Sequence, residues 1–500
     1  MNNDTVFLPF FVAVPLAGAF VNSLLGKRIH GLSDLLGSLL TLILLGLSLV
    51  AAHLTTFESI TVYHVGGWKP PIGIVMVLDG LTSFMLVTVN TVAFAITVYA
   101  RDYMERYTAK ELFYTLLLLL LTGMNGVIIA GDLFNLFVFL EIAAMASYAL
   151  VAFGTERHEL EAAFKYAVMG MVGSLFILLG IVLLYGMTST LNMADMRLVL
   201  TDQRGHKLLL MVSVLFLTGF GLKAAIVPFH AWLPDAHPSA PAPISAMLSG
   251  VLIKSLGIYA LSRIFFHVIG ATPKLLSILM FLGTLSMVAG ALLAIGQKDL
   301  KRLLAYSSIS QVGYIVFGIG LGTPLGILGA IFHLFNHSVS KALLFLNAGA
   351  VEYATGSRDL QIMGGLGKKM PVTGTTSFVA AMSIAGIPPL SGFWSKLLII
   401  MAAVQAGHVV YALGAVIVSV LTLALFIGVM KNVFIGKLNP RWQEVKEAPA
   451  YMRISMAILA LISAAGGVLL LPGLKESFLH QAAAIFLKSS PYTLATLKSM

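Results

Sequence analysis

The residues best suited to chemistry in this sequence are ionisable groups set inside apolar runs. Glu141 follows the stretch Leu136-Phe137-Val138-Phe139-Leu140. It stands about nine residues into an apolar run, which at about 1.5 Å per residue puts it near the centre of a bilayer. Lys223, Lys254, Lys341 and Lys396 also interrupt apolar runs. A charge at such depth is costly and is kept for a pathway or for a partner. One reading is a static ion pair between Glu141 and a lysine. The other starts from the imbalance of four buried bases against one deep acid, since burial penalises the charged form of each. Unless neighbouring chains bring carboxylates, some of these lysines are expected to be neutral near pH 7. A lysine that can be charged or neutral carries a proton, whereas an arginine stays charged. The arginines, with Arg263 among them, all fall in segments read as loops, as does Lys301.

His333, His337 and Lys341 recur at i, i+4 and i+8, on one face of a helix. Histidine titrates near neutrality and has two ring nitrogens, so such a row can relay protons. The alternatives are helix packing, a metal pair lacking a nearby third ligand, or haem ligation by two facing histidines. His230 and His237 flank Asp235 in the polar segment Phe229-His230-Ala231-Trp232-Leu233-Pro234-Asp235-Ala236-His237-Pro238. They form either a route by which protons reach the interior, with Asp235 as collector, or the satisfied groups of a tight re-entrant turn. Asp79 and Asp132 sit near span ends and read as caps. The sequence holds no nucleotide loop, nucleophile triad or zinc spacing, so no catalytic, cofactor-binding or metal-binding residue is assigned.

The elements that position these groups follow from composition. Of 500 residues 58% are hydrophobic and only 10% charged, with a mean hydropathy of +0.95. Lipid is the solvent for such a chain. A spanning helix needs roughly 20 apolar residues, and about fourteen such stretches can be traced. The expected fold is an all-α polytopic membrane protein, one bundle without a separate soluble domain. The run near Leu8 lacks a basic flank and a small-residue cleavage site, so it reads as a retained span. There is no cysteine, which excludes thiolate-held iron–sulfur clusters, disulfides and thiol catalysis. Any redox chemistry belongs to a partner.

The net charge of +10 would point to nucleic acid in a soluble protein. Here its distribution reads as topology. Connections after odd-numbered spans carry most of the loop Lys and Arg, among them Lys27, Arg28, Arg101, Arg106, Lys110, Lys298, Lys368 and Lys369. By the positive-inside rule those loops are cytoplasmic and both termini lie outside.

Two spans are interrupted by helix breakers: the seventh by Pro228 and the series Pro234, Pro238, Pro241 and Pro243, the twelfth by Gly386, Pro388, Pro389 and Gly392. Broken backbone at membrane depth is tolerated only inside protein or beside water, and a matched pair of breaks points to inverted repeats. Lys223 precedes the first break and Lys396 follows the second. The division expected is three helices over 1–112, five-helix repeats over 113–273 and 274–433, and a last helix with a short tail over 434–500. In that tail Leu474 to Leu487 has apolar residues at helical spacing and is too short to cross, so it is expected at the interface or on a neighbour.

Taken in order, Asp132-Leu133-Phe134-Asn135-Leu136-Phe137-Val138-Phe139-Leu140-Glu141, Lys223 through Pro243, Lys254, His333 through Phe345, and Gly386 through Lys396 resemble the antiporter-like subunits of respiratory complex I. They are more similar still to the D-type subunit of Mrp sodium/proton antiporters and its counterpart in membrane-bound hydrogenases. The likeness runs over nearly all of the chain. It implies fourteen helices, two inverted five-helix repeats with broken helices 7 and 12, and a hydrophilic axis at mid-membrane. It further implies that Glu141 modulates Lys223, that Lys254 with His333, His337 and Lys341 bridges the axis, and that Lys396 serves a second half-channel. Lysine at that last position matches the Mrp D-type and the complex I N- and L-type subunits, where M-type subunits have glutamate; the long lateral helix of the L type does not follow. The implied setting is a prokaryotic plasma membrane. The implied partners are other membrane subunits, with protons, or protons and sodium, as cargo and no cofactor. A scaffold whose buried charges only pair with neighbouring subunits stays open beside this reading.

Overall fold

The computed structural model describes residues 7–55, 60–201 and 206–487. Arg204, read as part of a loop, and Lys488 and Lys498, read as part of the C-terminal tail, lie outside them. The chain is mostly helical, and twelve helices among the described residues are long and apolar enough to cross a membrane. Two shorter apolar helices, Phe10–Leu25 and Ser391–Gln405, accompany them.

In chain order the helices are α1 (Phe10–Leu25), α2 (Leu32–Thr55), α3 (Gly80–Tyr103), α4 (Lys110–Ile129), α5 (Leu133–Val151), α6 (Arg157–Thr188), α7 (Met193–Thr201), α8 (Lys207–Ala224) and α9 (Leu233–Ser239). Then come α10 (Ala242–Ile269), α11 (Pro273–Ile295), α12 (Leu300–Gly320), α13 (Pro324–Thr355), α14 (Pro371–Ala385), α15 (Ser391–Gln405), α16 (Val409–Val433), α17 (Ala450–Ala465) and α18 (Gln481–Leu487). Helices α10 and α13 are buried along their whole apolar windows, whereas α2, α16 and α17 present most of theirs to the surroundings. α13 packs against α3, α10, α12, α14, α15 and α17 and forms the centre of the bundle.

The fold is not purely helical. The apolar run near Ile72, one of the stretches expected to span, opens instead as a strand, β2 (Val75–Leu78), which pairs antiparallel with the preceding β1 (Thr61–His64), Thr61 opposite Leu78 and His64 opposite Val75. A short apolar run cannot be assigned to strand or helix by periodicity alone. Helix α3 begins only at Gly80, where Asp79 caps it by accepting from the Thr82 amide at 2.8 Å. Asp132 caps α5 in the same way through Asn135, as expected of both aspartates.

Both breaks are made by one backbone device. At the end of α8, Ala225 takes a left-handed conformation (φ 55°), and the amides of Ala225 and Ile226 turn back to Leu222 and Gly221. At the end of α14, Gly386 (φ 85°) and Ile387 return to Ser383 and Met382. These paired bonds satisfy carbonyls that the broken helix would leave bare. A β-carbon on Gly392 would collide with the Ser383 carbonyl oxygen. Glycine there lets the start of α15 rest on the end of α14.

Two basic residues assigned to loops are buried within helices instead. Lys301 is the second residue of α12 and is buried, and Arg263 is buried inside α10. The segment read as a loop around Arg263 stays helical to Ile269 because Asp79 meets the guanidinium at 2.6 Å. Thr82 accepts from the same nitrogen at 2.7 Å and the Tyr259 oxygen from Nε at 2.9 Å. A paired, hydrogen-bonded arginine can be buried where a bare one could not. The described part of the tail packs on its own chain, where Phe478 meets Phe84 and Phe486 meets Phe266 with ring centres 5.3 and 5.2 Å apart.

Candidate functional site

Glu141 lies on the outward stripe of α5, between exposed Phe134, Val138 and Met145. Its side chain keeps 25% of its surface accessible, while that of Lys223 keeps 5%. Ser174 of α6 donates its hydroxyl proton to the carboxylate. Across the helix Lys223 Nζ stands 3.6 Å from Glu141 Oε1 and 3.4 Å from the Tyr148 oxygen. The last turn of α8 holds Lys223 two residues before the left-handed Ala225, so the break fixes where its amine points.

An aromatic stack leads inward from this pair. Tyr148 meets Tyr166 edge to face at 4.6 Å, and Tyr166 stacks on Trp232 at 4.3 Å. Trp232 donates its ring N–H to the Leu222 carbonyl at 2.9 Å and approaches His237 at 6.2 Å. His237 is fully buried, and neither of its ring nitrogens has a hydrogen-bond partner in the protein. Lys254 and Lys341 are within electrostatic reach of it. His230 and Asp235 sit nearer the surface. Asp235 pairs at 3.3 Å with both Lys165 and Arg302, so it is already engaged by two cations.

Lys254 is fully buried and donates to the Ser249 carbonyl five residues earlier. Around it, over Leu248–Tyr259, α10 winds more widely, as a π-helix. Such winding is rare and concentrates at functional positions. Ser249 meets Ser308 of α12 at 2.7 Å. Lys341 donates to the Leu304 carbonyl at 3.0 Å and to Ser307.

The His333 and His337 rings lie parallel within 6°, their centres 6.2 Å apart. His333 Nδ1 bonds Ser395 at 2.9 Å and its Nε2 bonds Gln311 at 3.2 Å. Both nitrogens of His337 lack protein partners, and Lys254, Lys341 and Lys396 act on it electrostatically. Among the described residues no group of three metal-type ligands forms here or elsewhere. From His333 the line continues to Tyr314, 5.6 Å between rings, and on to Lys396, whose amine lies 4.8 Å above the Tyr314 ring and 3.4 Å from Ser419.

The structure thus joins Glu141 with Lys223, and His337 with His333 and Lys396, around the central α10 and α13. Lys341 lies to one side, against α12. The reading from sequence missed Tyr148, Tyr314, Ser174, Gln311 and Ser395. Gln311 and the serines are polar residues in apolar runs and were visible as such; the tyrosines gave no signal.

Comparison with known proteins follows the same lines. The family profile described as NADH:quinone oxidoreductase/Mrp antiporter, transmembrane, matches residues 130–422, and that of the complex I chain 5 N-terminus matches residues 65–114. The N-type subunit of the NADH-quinone oxidoreductase of Desulforudis audaxviator is 40% identical over 381 residues, 75% of this chain and 76% of the relative. The D-type subunit of the Na(+)/H(+) antiporter of Alkalihalophilus pseudofirmus is 35% identical over 461 residues, 92% of each. In the solved Mrp complex of a Dietzia species, one chain superposes with a TM-score of 0.91 at 29% identity, covering 99% of this chain and 100% of that one. Over more than half of its length, then, the chain carries the family's sequence pattern, and over nearly all of it the fold: it belongs to the NADH:quinone oxidoreductase/Mrp antiporter transmembrane family.

Proposed function

We propose that this chain is a proton-translocating, or cation/proton-translocating, membrane subunit of a multi-subunit complex of the Mrp type. The observation that carries this is the buried row of titratable groups at the bundle centre, with Lys254, His333, His337 and Lys396 all withdrawn from the surface. Lysines and histidines can each exist with or without the proton, which a relay requires and a permanent ion pair does not. In this reading Glu141 tunes Lys223, Lys254 passes protons to the histidines with Lys341 beside them, and Lys396 serves the far end. His237 and His230 bring protons in from the basic face, and Asp235 marks its rim.

The twelve long helices, α1 and the broken pair α14 and α15 together give the fourteen spans we adopt. The like-built breaks after Ala225 and at Gly386 support inverted repeats at 113–273 and 274–433. The plasma membrane of a prokaryote, with both termini outside, accords with the basic loops and with the bacterial relatives. Neighbouring membrane subunits are required, because Glu141 reaches the outer surface of the bundle.

A second reading, in which electron transfer in another subunit drives the same axis, is favoured by the identity to an NADH-quinone oxidoreductase subunit. Vesicles containing the whole complex separate the two. A sodium gradient that drives proton exchange without any electron donor supports the antiporter. Flux that appears only with a donor, together with a copurifying iron–sulfur or nickel protein, supports redox coupling. Absence of flux under both conditions leaves a scaffold and overturns the proposal, and full transport by the purified chain alone overturns the need for neighbours.

A further inference from the structure

A second cluster of charges lies apart from the axis, on the basic face. A cavity of about 670 Å³ opens between the ends of α3, α6, α12 and α13. At its inner wall Lys301 Nζ stands 2.8 Å from Glu352 Oε2, with side-chain exposures of 2% and 22%. Arg358 reaches the other Glu352 oxygen at 3.6 Å and Asp299 at 3.0 Å. Arg106 and Tyr103 complete the wall on the α3 side, and Glu156, His158 and Glu159 face it from α6.

The pair is also connected inward. Lys301 Nζ donates to the Ala240 carbonyl at 3.2 Å, the same oxygen that Ser245 Oγ reaches at 3.2 Å. Ser245 in turn donates to the His237 carbonyl at 2.7 Å. Beyond lie the buried His237 ring, with both nitrogens unpartnered in the protein, and the two lysines that act on it. A buried imidazole without a partner is costly unless something reaches it. A buried lysine bridging a solvent-facing carboxylate and the neighbourhood of that imidazole is placed to do so.

We propose that the Lys301–Glu352 pair is the gate through which protons pass from this vestibule to His237 and the axis. This rests on the translocation reading above. The step balances in protons. The Glu352 carboxylate takes one proton from vestibule water, which loosens its hold on the Lys301 ammonium. Lys301 then gives one proton through intervening water and the Ser245 hydroxyl to the His237 ring. The Glu352 carboxyl returns its proton to the Lys301 amine, and the ion pair re-forms. One proton has moved inward and the gate is reset.

The test is flux in vesicles containing the whole complex, measured against proton concentration on the vestibule face while the opposite face is held constant. Glu352→Gln removes the acceptor, and the double variant Glu352→Gln with Lys301→Gln does so without leaving a buried charge unpaired. Glu352→Asp shortens the reach of the carboxylate. In assembled complexes, initial flux at limiting protons is expected to fall about tenfold for Glu352→Gln, a modest share of what a positioned proton-transfer group contributes. The loss should shrink at high proton concentration, and the dependence on the opposite face should stay as in wild type. Unchanged vestibule-side dependence in an assembled variant overturns the proposal. Equal losses on both faces, or failure of all three variants to assemble, assign the pair a structural role and overturn it too. If the wild-type complex itself moves no protons, the translocation reading falls first; if it does and the variants match it, only the gate falls.

Discussion

Lys223 Nζ lies 3.6 Å from Glu141 Oε1, yet the two side chains live in different surroundings, one 5% and the other 25% exposed. The lysine is sealed against Tyr148, while the glutamate looks outward from α5. A partner surface can therefore approach the acid without touching the base. Attraction between the two favours the charged amine, and any event that draws Glu141 outward favours proton release.

That geometry gives opposite outcomes for a counter-ion and a carrier. If Lys223 only pairs, Lys223→Arg keeps the positive charge and transport survives. If it releases a proton in each cycle, arginine fails, because its pKa stays above about 12. The expected result is loss of flux in both Lys223→Arg and Lys223→Ala with assembly intact, and strong impairment in Glu141→Gln. Vesicle flux with a separate assembly check decides; near-normal flux from assembled Lys223→Arg would sink the carrier assignment.

Lys254 allows charge to be separated from packing. It is fully enclosed, and its amine is bonded only within its own helix, to the Ser249 carbonyl. Lys254→Met conserves most of the volume and removes a buried amine that has no acid beside it. A buried amine with no acid beside it pays a desolvation cost that an apolar side chain of like size does not. Thermal stability of the complex should therefore hold or rise while flux is lost. A marked drop in stability with flux retained would make Lys254 a structural residue.

How far the sequence could be read follows from what burial leaves visible. Lysines in apolar runs stand out, so Glu141, Lys223, Lys254, His333, His337, Lys341 and Lys396 were all legible one by one, as were both helix breaks. What joins them was not. Tyr148 and Tyr314 look like ordinary apolar bulk until the folded bundle puts one beside Lys223 and the other between His333 and Lys396. Lys301 and Arg263 misled in the opposite direction: each lies at or near the end of an apolar run and reads as a loop. Only partners far away in sequence, Glu352 and Asp79, make their burial tolerable. The hairpin after α2 was hidden because a short apolar run has no period that separates strand from helix.

The break at α14 and α15 makes a steric prediction. Gly392→Ala would press a methyl group onto the Ser383 carbonyl, which is backbone and cannot turn aside. Overpacking of this kind costs about 1–3 kcal/mol. Because Ser395 and Lys396 follow within the next turn, the shift should reach the His333 contact as well. Assembled complex should fall, and the fraction that assembles should show reduced flux. Normal assembly together with normal flux would mean that the two half-helices can part at Ser383 without consequence.

Arg263 and Asp79 supply the control, a buried charge pair away from the axis. The guanidinium is held by Asp79, Thr82 and Tyr259, and Asp79 also caps α3. Asp79→Asn keeps a side-chain oxygen for the cap but removes the charge that neutralises Arg263. Removing one partner of a buried pair costs about 3–5 kcal/mol, because the other is left uncompensated. Arg263→Met, which withdraws the cation and leaves the cap in place, strands only Asp79, and a carboxyl can take up a proton where an arginine cannot give one up. Asp79→Asn should therefore lower the melting temperature more than Arg263→Met does, and the double variant should recover part of the loss. In all three, flux per assembled complex should remain near wild type. A selective loss of flux with stability unchanged would instead put Arg263 and Asp79 on the transport path, and the axis from Lys223 to Lys396 would have to be extended to include them.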